Sequence, residues 1–183
     1  MLRILLCALI GLFAGAHLAV AQTFSDGFAG FGSNDGAPIE IEADELKVED
    51  QSSKATFLGN VVVVQGESQL KTRKLVVYYD GSATGAGTSS GVGSGGQDIS
   101  RLEAYGSVYI SSKDQVATGD RANFDMKSEI MVMTGQTVTL TQGPNQVTGN
   151  KLTVNLKTGK ADLEAQSSGR VKVRLKPNNL KTD

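Results

Sequence analysis

A motif recurs along this chain at a spacing that few folds accommodate. Ala43-Asp44-Glu45-Leu46-Lys47-Val48 returns as Gly119-Asp120-Arg121-Ala122-Asn123-Phe124 and again as Gly149-Asn150-Lys151-Leu152-Thr153-Val154, with a degenerate copy at Arg73-Lys74-Leu75-Val76-Val77. The equivalent positions 44, 73, 120 and 150 lie 29, 47 and 30 residues apart. The long interval contains residues 81–97, almost wholly Gly, Ser, Thr and Ala, and without those 17 residues it shrinks to 30. A unit of roughly thirty residues therefore repeats about four times, and 81–97 reads as a flexible Gly/Ser-rich loop inserted into one copy. A second half-motif follows each first one. Gly59-Asn60-Val61, Gly106-Ser107-Val108 and Gly169-Arg170-Val171 match, and Gly135-Gln136-Thr137-Val138 matches with one extra residue that a β-bulge can absorb.

The residues between these marks have the period of strands. Ile39-Glu40-Ile41-Glu42 and Val171-Lys172-Val173-Arg174-Leu175 alternate apolar with charged, and Val61 to Val64 are β-branched throughout. Polar turns at 65–68, 112–114 and 142–145 join short antiparallel strands. One face collects Ile39, Ile41, Leu46, Val48, Phe57, Val61, Val63, Leu75, Val77, Val108, Ile110, Phe124, Met126, Met131, Met133, Val138, Leu140, Leu152, Val154, Leu156, Val171 and Val173. The other carries Glu, Lys, Asn, Gln, Thr and Arg. Such a chain is all-β, a sheet folded on itself around an apolar interior. Units that bury a face only against their neighbours build an elongated stack with open ends, whose strand edges can pair with another copy or another protein. The recurrence of Asp44, Asp120 and Asn150 points to turn formation, each side chain bonding its own local backbone.

The N-terminus places the chain in a compartment. Arg3, the apolar run from Ile4 to Ala16 and Ala19-Val20-Ala21 have the form of a cleaved secretory signal over 1–21. The only Cys and the only His, Cys7 and His17, leave with it. Disulfides, Cys nucleophiles, His bases and His/Cys zinc sites drop out, and no cofactor or metal is expected. Residues 22–37 form a flexible Gly/Ser/Asp-rich leader, 38–176 the folded domain, and 177–183 a flexible tail. Lys+Arg 18 against Asp+Glu 19 leaves no electrostatic footprint for nucleic acid. The acidic residues near Glu40 and Asp44 read as a solvated strand face and turn, and 81–97 lacks the Gly-Lys-Ser/Thr of a phosphate loop. No catalytic residue stands out, so the chain is not read as an enzyme. Tyr78 and Tyr79 precede the loop, and one of them faces out, where a sugar platform is the functional alternative to plain packing.

Three segments carry a family resemblance: Pro38-Ile39-Glu40-Ile41-Glu42-Ala43-Asp44, Ala55-Thr56-Phe57-Leu58-Gly59-Asn60-Val61-Val62-Val63, and Val147-Thr148-Gly149-Asn150-Lys151-Leu152-Thr153-Val154. Over about 38–176 the chain resembles the OstA-like family of lipopolysaccharide transport proteins. The resemblance implies an open V-shaped β-jelly roll of antiparallel strands, with a groove for the acyl chains of lipid A. It implies head-to-tail stacking with further copies of itself into a bridge between two membranes. A cleavable signal without a fused barrel is similar to the soluble periplasmic member. Its partners would be lipopolysaccharide, an inner-membrane OstA-like anchor subunit and an outer-membrane barrel subunit with an OstA-like N-terminal domain. Ile39, Ile41 and Phe124 align with apolar groove positions of the family. Val108 and Ile110 follow, and the inward-facing Phe57, Val63 and Leu140 complete the candidate lipid contacts. Val171, Val173 and Leu175 form the candidate assembly edge. The basic stripe Arg170, Lys172, Arg174 and Lys176 there either protects an edge strand or meets phosphates or an acidic rim. A ligand-free structural β-solenoid and a carboxylate-dependent carbohydrate-active enzyme are the competing readings.

Overall fold

A computed structural model of the chain describes residues 37–80, 98–166 and 169–176. The expected signal, most of the leader, the 81–97 loop and the tail lie outside the described residues. The strands are β1 (Ile39–Glu42), β2 (Glu45–Glu49), β3 (Lys54–Gln65), β4 (Ser68–Asp80), β5 (Asp98–Ser112), β6 (Gln115–Asp125), β7 (Ile130–Gln142), β8 (Asn145–Asn155), β9 (Ala161–Glu164) and β10 (Lys172–Arg174). They form one antiparallel sheet in which β3 to β8 run as a meander. Two-residue loops at 66–67, 113–114 and 143–144 close three of its hairpins. No α-helix occurs among the described residues.

The two edges of the sheet are built alike. β1 pairs with Val62–Gln65 of β3, and β2 pairs with Lys54–Leu58 of the same strand. They are two halves of one strand broken at Ala43-Asp44. At the other edge β9 pairs with Lys151–Val154 of β8 and β10 with Gln146–Thr148, with Gly169 in the break between them. The edges do not pair with each other, so the sheet stays unclosed.

Each long strand is interrupted where the edge strands break. Register shifts fall between Leu58 and Val61, between Lys71 and Lys74, between Tyr105 and Val108, between Thr118 and Arg121, and between Thr134 and Val138. The left-handed backbone sits in these gaps, at Gly59 (φ 75°), Asn60 (φ 45°), Gly106 (φ 85°) and Ser107 (φ 55°). Bulges at matching heights turn every strand the same way and divide the sheet into two wings. The first wing ends in β2 and β9, the second in β1 and β10. β7 carries residues 135–137 in its gap where β3 and β5 carry two residues each, which is the extra residue seen in the repeat.

The recurring Asp and Asn lace this line of bends together. The Asp44 N–H donates to Gly59 O at 3.0 Å, and the Asp44 carboxylate accepts from Asn60 Nδ2 at 2.8 Å. Asp120 Oδ2 accepts the Gln136 N–H at 2.8 Å, Asn150 Nδ2 donates to Gln136 O at 2.5 Å, and Asn150 Oδ1 accepts the Gln166 N–H at 3.1 Å. These partners are on the neighbouring strand's bend, not on the local backbone that the sequence pattern suggested. The repeat thus marks a corner of a sheet. A Cβ at Gly59 would run into the Asp44 carboxylate, so glycine is required there by contact as well as by φ.

Candidate functional site

The inner faces of both wings meet in one apolar core. Following the register across the strands resolves it into rows. In the second wing Ile41, Val63, Leu70, Ile110, Ala117, Leu140, Val147 and Val173 are successive partners from one edge of the sheet to the other. In the first wing one row runs Leu46, Phe57, Leu75, Ala104, Ala122, Met133, Leu152 and Leu163. A second runs Val48, Ala55, Val77, Leu102, Phe124, Met131, Val154 and Ala161. Directly opposed residues share a face, so each row is a continuous apolar track.

Six of the eight candidate lipid contacts fall on these tracks. Ile41, Val63, Ile110 and Leu140 share one row together with the candidate edge residue Val173. Phe57 and Phe124 occupy the two rows of the first wing. Val108 lies beside the bend, in register with Gly119, and Ile39 is in register with Gln65. Phe57, Val63, Val108, Ile110, Phe124 and Leu140 are buried, while Ile39 and Ile41 are half-buried against the core. Among the described residues no strand of one wing pairs with the other across the interior, and the wings are joined through the bends.

The ends of the tracks differ from their middles. Leu46 is 51% exposed and Val48 45% exposed, although both share a face with buried Phe57 and Ala55. Val173 at 59% and Leu175 at 64% are more exposed still, and Val171 is exposed too. The sequence pattern assigned Leu46, Val48, Val171 and Val173 to the buried face. For β2 and β10 the facing is as expected, but among the described residues nothing covers these strands, each of which pairs on one side only. The apolar rows therefore run out uncovered at β2 in the first wing and at β10 in the second, while Leu163 and Ile41 at their other ends are partly buried. The edge charges are opposite in the second wing: β1 exposes Glu40 and Glu42, and the β10 segment exposes Arg170, Lys172, Arg174 and Lys176.

The two tyrosines before the loop point to opposite faces. Tyr79 is buried, its hydroxyl has no hydrogen-bond partner among the described residues, and burial pushes its pKa up to about 12. Tyr78 lies on the outer face of the first wing. Its hydroxyl and that of Tyr105 donate to Glu103 Oε2 at 3.2 and 2.7 Å, Arg101 Nε lies 3.2 Å from Glu103 Oε1, and the Arg101 guanidinium sits 4.1 Å from the Tyr78 ring centre. The bond to Glu103 raises the Tyr105 pKa. These contacts tie the cluster together on the outer face, although among the described residues Arg101 Nε makes no hydrogen bond of its own. Among the described residues no group of three His, Cys, Asp or Glu is placed to hold a metal ion.

The arrangement has relatives. A protein-family model described as LptA/(LptD N-terminal domain) LPS transport protein matches residues 40–160. An uncharacterised protein of Rhizobium meliloti is 39% identical over 168 residues, covering 92% of this chain and 87% of its own length. The lipopolysaccharide export system protein LptA of Escherichia coli is 27% identical over 153 residues, covering 84% of this chain and 78% of its own. The crystal structure of LptH from Pseudomonas aeruginosa, described as the LptA-homologous periplasmic component of a lipopolysaccharide transport device, superimposes with a TM-score of 0.61 at 18% identity, covering 78% of this chain and 97% of that one. The unclosed antiparallel jelly roll is the fold they have in common, and on the family match this chain belongs to the LptA/LptD N-terminal domain family of LPS transport proteins.

Proposed function

We propose that this chain is a periplasmic carrier that shelters the acyl chains of lipid A between its two wings and passes lipopolysaccharide onward through end-to-end contacts with further copies. The observation that supports this reading is the set of apolar rows that cross the whole sheet and end uncovered at β2 in the first wing and at β10 in the second. An acyl chain in water loses about 0.8 kcal/mol for every CH₂ that could be buried, so a long one costs on the order of 10 kcal/mol. A protein that offers a continuous apolar track removes most of that cost without cutting any bond. Among the described residues the wings share backbone only at their bends and otherwise meet through apolar side chains, so a chain enters by spreading them and replaces one apolar contact with another. At each end an edge strand of a neighbour extends the sheet and covers the exposed Leu46, Val48 and Val173. The signal at 1–21 delivers the chain to the periplasm. An inner-membrane anchor of the same family and the jelly-roll domain of an outer-membrane barrel subunit would cap the two ends of such a stack.

The test is photo-crosslinking in cells. A photoreactive amino acid at Phe124 or Ile41 is expected to trap lipopolysaccharide, and one at the outward Tyr78 is not. Trapping from all three positions alike, or from none, overturns the reading. A stack that forms equally well with and without lipid and never traps it would instead support the ligand-free structural alternative.

A further inference from the structure

The inner face of the second wing changes chemistry at its last row. Two residues beyond Val63, Leu70, Ile110, Ala117, Leu140 and Val147, and therefore on the same face, come Gln65, Ser68, Ser112, Gln115, Gln142 and Asn145, each in register with the next. Six polar side chains without a formal charge thus line one margin of the apolar interior. At the matching margin of the first wing stand Tyr79, Ile99, Met126 and Leu156, which are mainly apolar. The first four members of the polar row are buried, and Gln115 is 1% exposed. Ser68 Oγ donates to Ser112 Oγ at 2.8 Å. Among the described residues Gln115 Oε1 has no hydrogen-bond partner. Buried side-chain acceptors are nearly always partnered, and one left alone marks a place where something else donates. The row one step deeper is aliphatic at every strand, so an amide here is not needed to fill the fold.

We propose that this row is a hydrogen-bonding subsite for the uncharged amide linkage that joins an acyl chain to its sugar, with Gln115 Oε1 accepting from the amide N–H. The inference rests on the carrier reading and adds the position at which the lipid changes from tail to head. The Ser112 hydroxyl, which accepts from Ser68, and the Gln115 Nε2 can donate to the carbonyl of the same linkage. A phosphate is the wrong ligand for it, because the row holds no cation to balance the charge in a buried setting.

Two synthetic probes separate this from mere packing: a long-chain N-acylglucosamine, and the matched 2-O-acylglucoside whose ester lacks the N–H. The intact protein is expected to bind the amide about fivefold more tightly, the weight of one hydrogen bond. Gln115→Met, which keeps volume but removes the acceptor, is expected to bring that ratio to about one while leaving the melting temperature unchanged. Equal affinity of the wild type for both probes, or a preference that survives in Gln115→Met, overturns the inference while lipopolysaccharide binding keeps the carrier reading alive. A wild type that binds neither probe nor lipopolysaccharide removes both. If Gln115→Met does not fold, the wild-type ratio alone decides.

Discussion

Glu40 and Arg174 stand at opposite ends of a single cross-strand row on the outer face of the second wing, linked through Val64, Gln69, Ser111, Val116, Thr141 and Gln146. The adjacent row ends the same way, in Glu42 at one edge and Lys172 at the other. When a second molecule continues the sheet in register, each carboxylate arrives beside a cation. Exposed pairs are worth about 0.2–1 kcal/mol each, so they select the orientation of docking more than they drive it. The double variant Glu40→Lys, Glu42→Lys is expected to weaken self-association roughly fivefold at low salt. Combining Glu40→Lys with Arg174→Glu should recover part of it. Sedimentation equilibrium at two ionic strengths checks this, since the difference must shrink in high salt.

Apolar cover at the edge is a separate contribution. Val173 is mostly exposed in the single molecule, so Val173→Asp should change its unfolding free energy by no more than ~0.5 kcal/mol. Association should fall at least tenfold, because the carboxylate would be buried against a neighbour. Unchanged sedimentation of Val173→Asp would mean that this edge is not a contact.

Gly59→Ala tests the corner. The backbone there is left-handed at φ 75°, and the new Cβ meets Asp44. A loss of about 2 kcal/mol is expected, or a melting temperature lower by roughly 5–10 °C. Gly143, also left-handed but with open space around it, should cost less when replaced by alanine.

Tyr79 gives a pH signature. Its folded pKa stands near 12 against an ordinary 10.0, because burial disfavours the phenolate. The unfolded chain therefore loses this proton first. The stability that Tyr79 confers is complete below pH 10 and drains away as the pH rises towards 12. Denaturant titrations from pH 9 to 12 should show that decline, and Tyr79→Phe should flatten it. At neutral pH the same variant should be slightly more stable, by ~1 kcal/mol, because it removes a buried hydroxyl without a partner.

Much of the architecture is legible in the sequence, for a reason that can be named. The bends recur on alternate strands, marked by left-handed Gly59 and Gly106 and by Asp44, Asp120 and Asn150 bonding across to the next strand's bend, so the geometry leaves a mark every two strands. Alternation shows which side of a strand is apolar, and the rows of Phe57, Phe124 and Ile110 follow from it. Alternation does not show whether anything lies opposite, which is why Leu46 and Val173 read as core and stand in water. The polar row escaped notice for another reason. Gln65, Ser112, Gln115 and Gln142 adjoin the hairpin loops, where Gln and Ser are unremarkable, and only the register across five hairpin-linked pairs places them together.

The track from Ile41 to Val173 holds nothing but aliphatic side chains, one per strand, with strands about 4.8 Å apart. An alkyl tail lying across such rungs meets nearly the same surroundings after every step. Its energy profile is shallow, with no deep trap at which traffic would stall. A shallow profile also has no slope, so nothing along the lane itself favours forward over backward movement. Net flow would have to be imposed where material is loaded at one terminus and withdrawn at the other.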